Sequence, residues 1–169
     1  VVILTATGIV DNVMAGYLAE GVAHAEREGA GAVVIQLNTP GGSLDATQRI
    51  VSTLLDAPLP TVVWVTPSGA RAASAGTFIT LAGHLALMAP GTNIGAATPV
   101  GGQGEDIEGD LGQKVLNDAV ASIRSIAALS PDAVMIAIAG VGGVIALSLL
   151  IESVRRLRDW QIRSGIVFL

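Results

Sequence analysis

Ser74 and Lys114 are the two side chains whose types can combine into a catalytic pair. Ser74 sits in a run of small residues, Ala72-Ala73-Ser74-Ala75-Gly76-Thr77, that can expose a hydroxyl, and Lys114 is the one lysine in 169 residues. A serine hydroxyl is a weak nucleophile until a neighbour removes its proton, and the usual neighbour is a histidine oriented by an acid. Two histidines are present. His24 reads as a surface or boundary residue of a helix. His84 follows Ser74 by ten residues, roughly 15 Å away along a helix rising ~1.5 Å per residue. Neither is well placed, so Lys114 becomes the candidate base. Near neutral pH it must be held deprotonated, which apolar burial does by disfavouring the charged form. Plainer readings stand beside these: a serine at a helix start is often only a cap, and a lysine between Asp110 and Asp118 is often only a solvated charge.

A second group with chemical content is Asn38-Thr39-Pro40-Gly41-Gly42-Ser43. Two adjacent glycines leave backbone N–H groups unshielded, which suits an oxyanion hole or an anion nest. A tight strand-to-helix turn needing positive φ requires the same residues. Phosphate binding is the weaker reading, because neither a P-loop Lys-Ser/Thr nor a GxGxxG is present.

The elements that must position these groups follow from hydrophobic spacing. Val1–Thr5 reads as a strand and Asp11 as the N-cap of a helix to Glu28, with Met14, Leu18 and Val22 at helical spacing and Gly29 beyond the end. Ala32–Leu37 reads as a buried strand, Leu44–Leu55 as an amphipathic helix and Thr61–Val65 as another buried strand. Ser74–Ala82 is expected to be a helix, Leu85–Met88 a strand, Gly91–Glu108 a Gly-rich loop and Leu111–Leu129 a helix. Strand and helix in alternation imply an α/β layer with parallel pairing. Open sheets of that kind place their sites at the C-terminal ends of the strands, where both groups fall.

Composition limits the possible functions. The chain is 51% hydrophobic with 3% aromatic and 14% charged residues, so Ala, Val, Ile and Leu must build its core. A net charge of −5 and the lack of a basic cluster before residue 155 argue against a nucleic-acid partner. No cysteine is present, which excludes disulfides, thiolate catalysis and Cys-ligated zinc and fits any redox compartment. No metal and no cofactor are expected. Val1 opens no signal-peptide pattern.

Three segments then carry a resemblance. Asn38–Ser43, Pro67-Ser68-Gly69-Ala70-Arg71-Ala72-Ala73-Ser74-Ala75-Gly76-Thr77 and Met88-Ala89-Pro90-Gly91-Thr92-Asn93-Ile94-Gly95-Ala96-Ala97-Thr98-Pro99-Val100 closely resemble the NfeD family of membrane-bound serine proteases, the stomatin-operon partner proteins. Lys114 to Ala127 looks like that family's lysine-bearing helix. The resemblance implies the fold shared by the Clp protease and signal peptide peptidase A, a spiral of ββα units related to the crotonases. It also implies Ser74 as nucleophile, Lys114 as general base, Gly42 and Ala75 as oxyanion donors, and Gly41 and Ser43 as substrate contacts. The Clp protease's catalytic histidine would align with Ala97. The implied substrate is an apolar segment of a stomatin-like membrane protein, and the implied assembly is a homodimer.

Residues 131–169 depart from that family. Residues 1–130 hold 11 acids and five bases, whereas 131–169 hold three acids and four arginines. Ser130-Pro131-Asp132 reads as a helix start, and residues 133–151 are 19 residues without a charge. That length approaches the roughly 20 residues of a membrane span. The run has no polar face and offers small-xxx-small pairs at Ala139/Gly143 and Gly142/Ala146. Arg155, Arg156, Arg158 and Trp160 then place the C-terminus in the cytoplasm and residues 1–130 outside it. The expectation is therefore a protease domain over residues 1–130, followed by a long apolar C-terminal helix in the membrane, with a core helix of a modified domain and an aberrant tail as the alternatives for residues 131–169. The alternatives are a catalytically silent scaffold of the same fold that binds a stomatin-like partner, and a crotonase-like acyl-CoA enzyme.

Overall fold

The first two helices begin where a side-chain oxygen can replace a missing backbone partner. Asp11 Oδ1 accepts the Met14 N–H at 2.9 Å and Ser43 Oγ accepts the Ala46 N–H at 3.2 Å, so each satisfies one orphan donor of the helix it opens. The computed structural model describes residues 1–101, 105–129 and 134–137, with side chains through Ile126. In chain order its elements are β1 (Val2–Thr7), α1 (Asn12–Arg27), β2 (Val33–Asn38), α2 (Leu44–Leu55), β3 (Thr61–Val65), β4 (Arg71–Ala73), α3 (Ala75–Ala82), β5 (Leu85–Met88), β6 (Asn93–Gly95), α4 (Gly109–Leu129) and β7 (Val134–Ala137).

Five strands form one parallel sheet in the order β1-β2-β3-β5-β7, with Leu4 opposite Ile35, Ile35 opposite Val63 and Val63 opposite Ala86. Such strands read as near-continuous apolar runs because both faces are covered. One face, through Leu4, Ala6, Ile35, Leu37, Val63 and Val65, packs in a common core with Leu18 of α1, Ile50 and Leu54 of α2 and Ile79 of α3. The other face gathers Val34, Val62, Leu85 and Leu87 beside Trp64. Each fully buried Leu or Ile contributes about 1.5–3 kcal/mol relative to exposure.

Two copies of one unit carry the chemistry-bearing loops. In β3–β4–α3 and again in β5–β6–α4, the first strand joins the five-stranded sheet, the second joins a two-stranded parallel sheet β4–β6, and a helix follows. A reduced version precedes them, in which Thr39, just past β2, makes a single bridge to Ala72 before α2 begins. The ββα arrangement is thus visible in the strand pairing itself. Sequence spacing anticipates neither β4 nor β6, because three residues are too few to display a period. β6 lies inside the stretch expected to be a Gly-rich loop.

The C-terminal expectation needs correction. Residues 134–137, placed in a long apolar helix by the sequence, form strand β7, with Leu85 opposite Val134 and Leu87 opposite Ile136. An uninterrupted apolar run has no period to separate a helix from a buried strand, and the β-branched Val134 and Ile136 suit a pleated surface. Residues 138–151 and the basic flank after them lie outside the described residues. Among the described residues no helix is long and apolar enough to cross a membrane.

Candidate active site

Ser74 is the joint between β4 and α3, and its backbone is unusual. It has φ 51 and ψ −112, a conformation that residues other than glycine rarely adopt and that costs of order 1–3 kcal/mol. Four hydrogen bonds at the joint hold it there. The Ser74 N–H donates to Gly95 O at the end of β6 (2.8 Å), and the Thr77 N–H donates to Ser74 O (2.9 Å). The Thr77 hydroxyl reaches Gly95 O (3.1 Å) and Ala72 O (3.3 Å). The Ser74 side chain makes no capping bond to α3. Its half-buried hydroxyl is therefore not engaged in the ordinary task of a helix-start serine. A sharp, strained strand-to-helix turn that presents a serine hydroxyl is the arrangement of a nucleophile elbow.

The Gly41-Gly42 turn is pressed against this joint. Thr39 is fully buried and stitches the turn to β4: its N–H donates to Arg71 O (2.7 Å), its carbonyl accepts from the Ala73 N–H (3.1 Å), and its Oγ1 accepts from the Gly41 N–H (3.0 Å). Gly41 has φ 115, and a methyl group there would lie 2.8 Å from Ser74 Cβ and 3.3 Å from Ser74 Oγ. Only glycine admits both that backbone and that approach. Gly42 has ordinary φ, but a side chain on it would run into the backbone of Val10, which brackets the turn through Val10 N–H to Gly41 O and Ser43 N–H to Val10 O, both 2.9 Å. Neither the exposed Gly42 N–H nor the Ala75 N–H, at the first position of α3, donates to a protein acceptor among the described residues. Ser43 differs: its amide is bonded to Val10 and its hydroxyl caps α2.

Lys114 lies in the second turn of α4, where it is exposed and makes no hydrogen bond or ion pair among the described residues. Helix α4 rests on the core through Ala119, Ile126 and Ile123, while Leu111, Leu116 and Val120 remain exposed. Ser74 is thus brought together with Gly41 and its turn, and it is not hydrogen-bonded to Lys114. The histidines stand away from Ser74. His24 is exposed on α1, and His84 Nδ1 lies 2.8 Å from Thr61 Oγ1 and accepts the Thr61 N–H at 3.3 Å, at the N-terminal end of β3. Ala97 packs against the core. Sequence reasoning missed Thr39, Thr77 and Gly95 as the groups that position the serine. All three lie within the quoted motifs, but their hydrogen bonds are tertiary and leave no local signal.

Comparison with known proteins gives a consistent picture. Residues 1–150 match the family model described as the NfeD1b N-terminal domain. The chain is 45% identical over 106 residues to the membrane-bound protease PH1510 of Pyrococcus horikoshii, covering 61% of this chain and 24% of that protein. It is 32% identical over 95 residues to membrane protein NfeD1b of Bacillus subtilis, covering 56% of this chain and 21% of that protein. The chain therefore spans about a quarter of the length of these relatives. Among solved structures it is similar to the 1510-N membrane-bound stomatin-specific protease, as a lysine-to-alanine mutant in complex with a substrate peptide, with TM-score 0.68, 36% identity and coverage of 75% of this chain and 59% of that one. A serine-to-alanine mutant of the same protease matches with TM-score 0.67 and 36% identity, covering 75% and 63%. ClpP1 from Listeria monocytogenes, with TM-score 0.57, 22% identity and 77% of each chain covered, shares the fold.

Proposed function

We propose, because the chain belongs to the family of the NfeD1b N-terminal domain, that it is a serine endopeptidase domain cutting peptide bonds through an acyl-enzyme on Ser74. The observation that carries this reading is the strained backbone of Ser74, whose hydroxyl caps nothing and faces the Gly41 turn. A serine serving only as a cap has no need of φ 51. Support also comes from the relatives, which are named as proteases and are solved as serine-to-alanine and lysine-to-alanine mutants.

In the proposed reaction Lys114 Nζ, as a neutral amine, takes the hydroxyl proton while Ser74 Oγ bonds to the scissile carbonyl carbon. The carbonyl oxygen becomes an oxyanion received by the Gly42 and Ala75 N–H groups, each donor worth ~3–4 kcal/mol in the transition state. The ammonium returns its proton to the leaving amine as the C–N bond breaks, and a water deprotonated by the same amine then hydrolyses the ester. Lys114 is exposed in the free chain. The desolvation that disfavours its ammonium form comes from bound peptide or from a second protomer of a homodimer covering α4. Residues 1–130 carry this chemistry. The substrate is an apolar stretch of a stomatin-like membrane protein, as the stomatin specificity of the 1510-N relative suggests. The chain works at the membrane, with its catalytic face outside the cytoplasm.

The exposure of Lys114 favours one second reading, a catalytically silent scaffold that binds the same partner. Cleavage of a peptide from a stomatin-like C-terminal region separates the two. The peptidase loses cleavage in Ser74→Ala and in Lys114→Ala, each by at least ~10³-fold. Wild-type protein that binds the peptide and never cuts it would establish the scaffold.

A further inference from the structure

The five-stranded sheet has two faces, and its crossovers can cover only one of them. The strand order β1-β2-β3-β5-β7 advances in a single direction with every pairing parallel. Right-handed connections between such strands place all the crossover helices on the same side. Buried residues of α1, α2, α3 and α4 accordingly share one core with Leu4, Ile35 and Val63. The opposite face is read from two rows in register across the strands. One runs Ile3, Val34, Val62, Leu85 and on to Val134, the other Thr5, Gln36, Trp64, Leu87 and on to Ile136. Burial along these rows is graded. Val34, Val62, Leu85 and Leu87 are buried, Leu87 completely, whereas Thr5 is exposed and Ile3 is 60% exposed at the β1 edge. Among the described residues no helix contributes to this buried cluster. Trp64 Nε1 is buried with no hydrogen-bond partner among the described residues, so the indole N–H faces an apolar enclosure and not water. The cover of this face therefore lies toward β7.

We infer that residues 138–151, the uncharged stretch that follows β7, fold back over this face as its covering layer instead of crossing a membrane. Ala137 ends β7 opposite Met88 of β5, so the stretch starts at the side where burial is deepest. Strand β7 also takes Val134–Ala137 out of the apolar run. The 14 residues that remain before Glu152 extend about 21 Å as a helix, against the ~30 Å of a bilayer's hydrocarbon core. An apolar stretch of that length suits a buried core element better than a span. Gly140, Gly142 and Gly143 give the chain the freedom to reverse direction after the strand. Residues 144–151 then bring Val, Ile and Leu, the same aliphatic types that the face presents, and Glu152, Arg155 and Arg156 return the chain to water. Nothing in this placement depends on the chemistry of Ser74.

The test uses the whole chain, which has two tryptophans and no cysteine. Trp160→Phe leaves Trp64 as the sole indole. A nitroxide is then attached to one introduced cysteine at a time, in Ala146→Cys, Leu147→Cys, Ser148→Cys and Leu149→Cys, which together sample a full helical turn. Gln48→Cys, exposed on α2 beside the other face, is the control. An element stacked on a sheet lies about 10 Å from it, close enough for a nitroxide to quench an indole. All samples contain phosphatidylcholine vesicles, and the same cysteines are labelled in parallel with an NBD fluorophore in vesicles that carry doxyl lipids. At least one of the four nitroxides is expected to halve the Trp64 emission, the control to leave it unchanged, and the NBD probes to ignore the doxyl lipids. A position that does not fold when labelled leaves the other three to decide. Full Trp64 emission at every folded position overturns the placement, and so does quenching of the NBD probes by doxyl lipid, the result of a membrane span.

Discussion

Replacing Gly41 with alanine isolates what its close approach to Ser74 contributes, because Gly8 supplies a matched control. Gly41 has φ 115 and Gly8 has φ 108, so alanine at either position is forced into the same unfavourable backbone region. That strain costs about 2 kcal/mol, or roughly 4–8 °C in melting temperature for a domain of this size. Their surroundings differ. A methyl group at Gly8 meets nothing within 4 Å, whereas one at Gly41 meets Ser74 Cβ at 2.8 Å. Carbon atoms in contact sit at ~3.5 Å or more, so Ser74 must retreat by roughly 0.7 Å. A displacement of ~1 Å at a reacting group costs on the order of 100-fold. Gly41→Ala should therefore slow fluorophosphonate labelling of Ser74 and peptide cleavage by about 10- to 100-fold. Gly8→Ala should melt at a similarly lowered temperature and label within about 2-fold of wild type, since the effect on position is what sets the rate. Parallel thermal melts and labelling rates decide the matter. Equal labelling rates in the two variants would refute the claim that the turn positions the nucleophile.

Other expectations follow from the same geometry. Ser74→Gly should melt about 2–4 °C above Ser74→Ala, because glycine accepts φ 51 without strain at some entropic cost, a net gain of roughly 1 kcal/mol. A lower melting point for Ser74→Gly would show that the elbow is not strained. Thr39→Val removes the oxygen that accepts the Gly41 N–H at 3.0 Å and leaves that donor buried, which should cost ~1–3 kcal/mol and slow labelling as well. Unchanged labelling would dissociate the turn from the serine. Ser43→Ala removes the α2 cap, at ~1 kcal/mol, and should lower the melting temperature while labelling continues at the wild-type rate.

Much of the scaffold is readable from spacing alone, for physical reasons that also explain the failures. Helix α2 and strands β3 and β5 fall at their expected limits because each is a self-contained run bounded by breaks in pattern. Asp11 acts as the cap that its type and place imply. The Ser43 hydroxyl satisfies a backbone donor three residues on, a role that its position before Leu44 makes natural. Strands β4 and β6 exist through pairing with each other and through Thr39, contacts distant in sequence. Strand β7 shows that an unbroken apolar run does not choose between helix and sheet until an edge such as β5 is available. Ser74 is nameable from its motif, but its conformation is imposed from β6 through Gly95. Leu116 and Val120 fit the apolar stripe of α4 by spacing and nonetheless remain exposed, since only part of that helix has something to pack against.

The central claim is that Ser74 is a nucleophile activated by Lys114. Peptide mapping by mass spectrometry after fluorophosphonate treatment tests it most directly. One adduct is expected, on the peptide containing Ser74, absent from Ser74→Ala and formed at least ~100-fold more slowly in Lys114→Ala, as loss of a general base requires. An adduct elsewhere, no adduct in the wild type, or wild-type labelling in Lys114→Ala would contradict it.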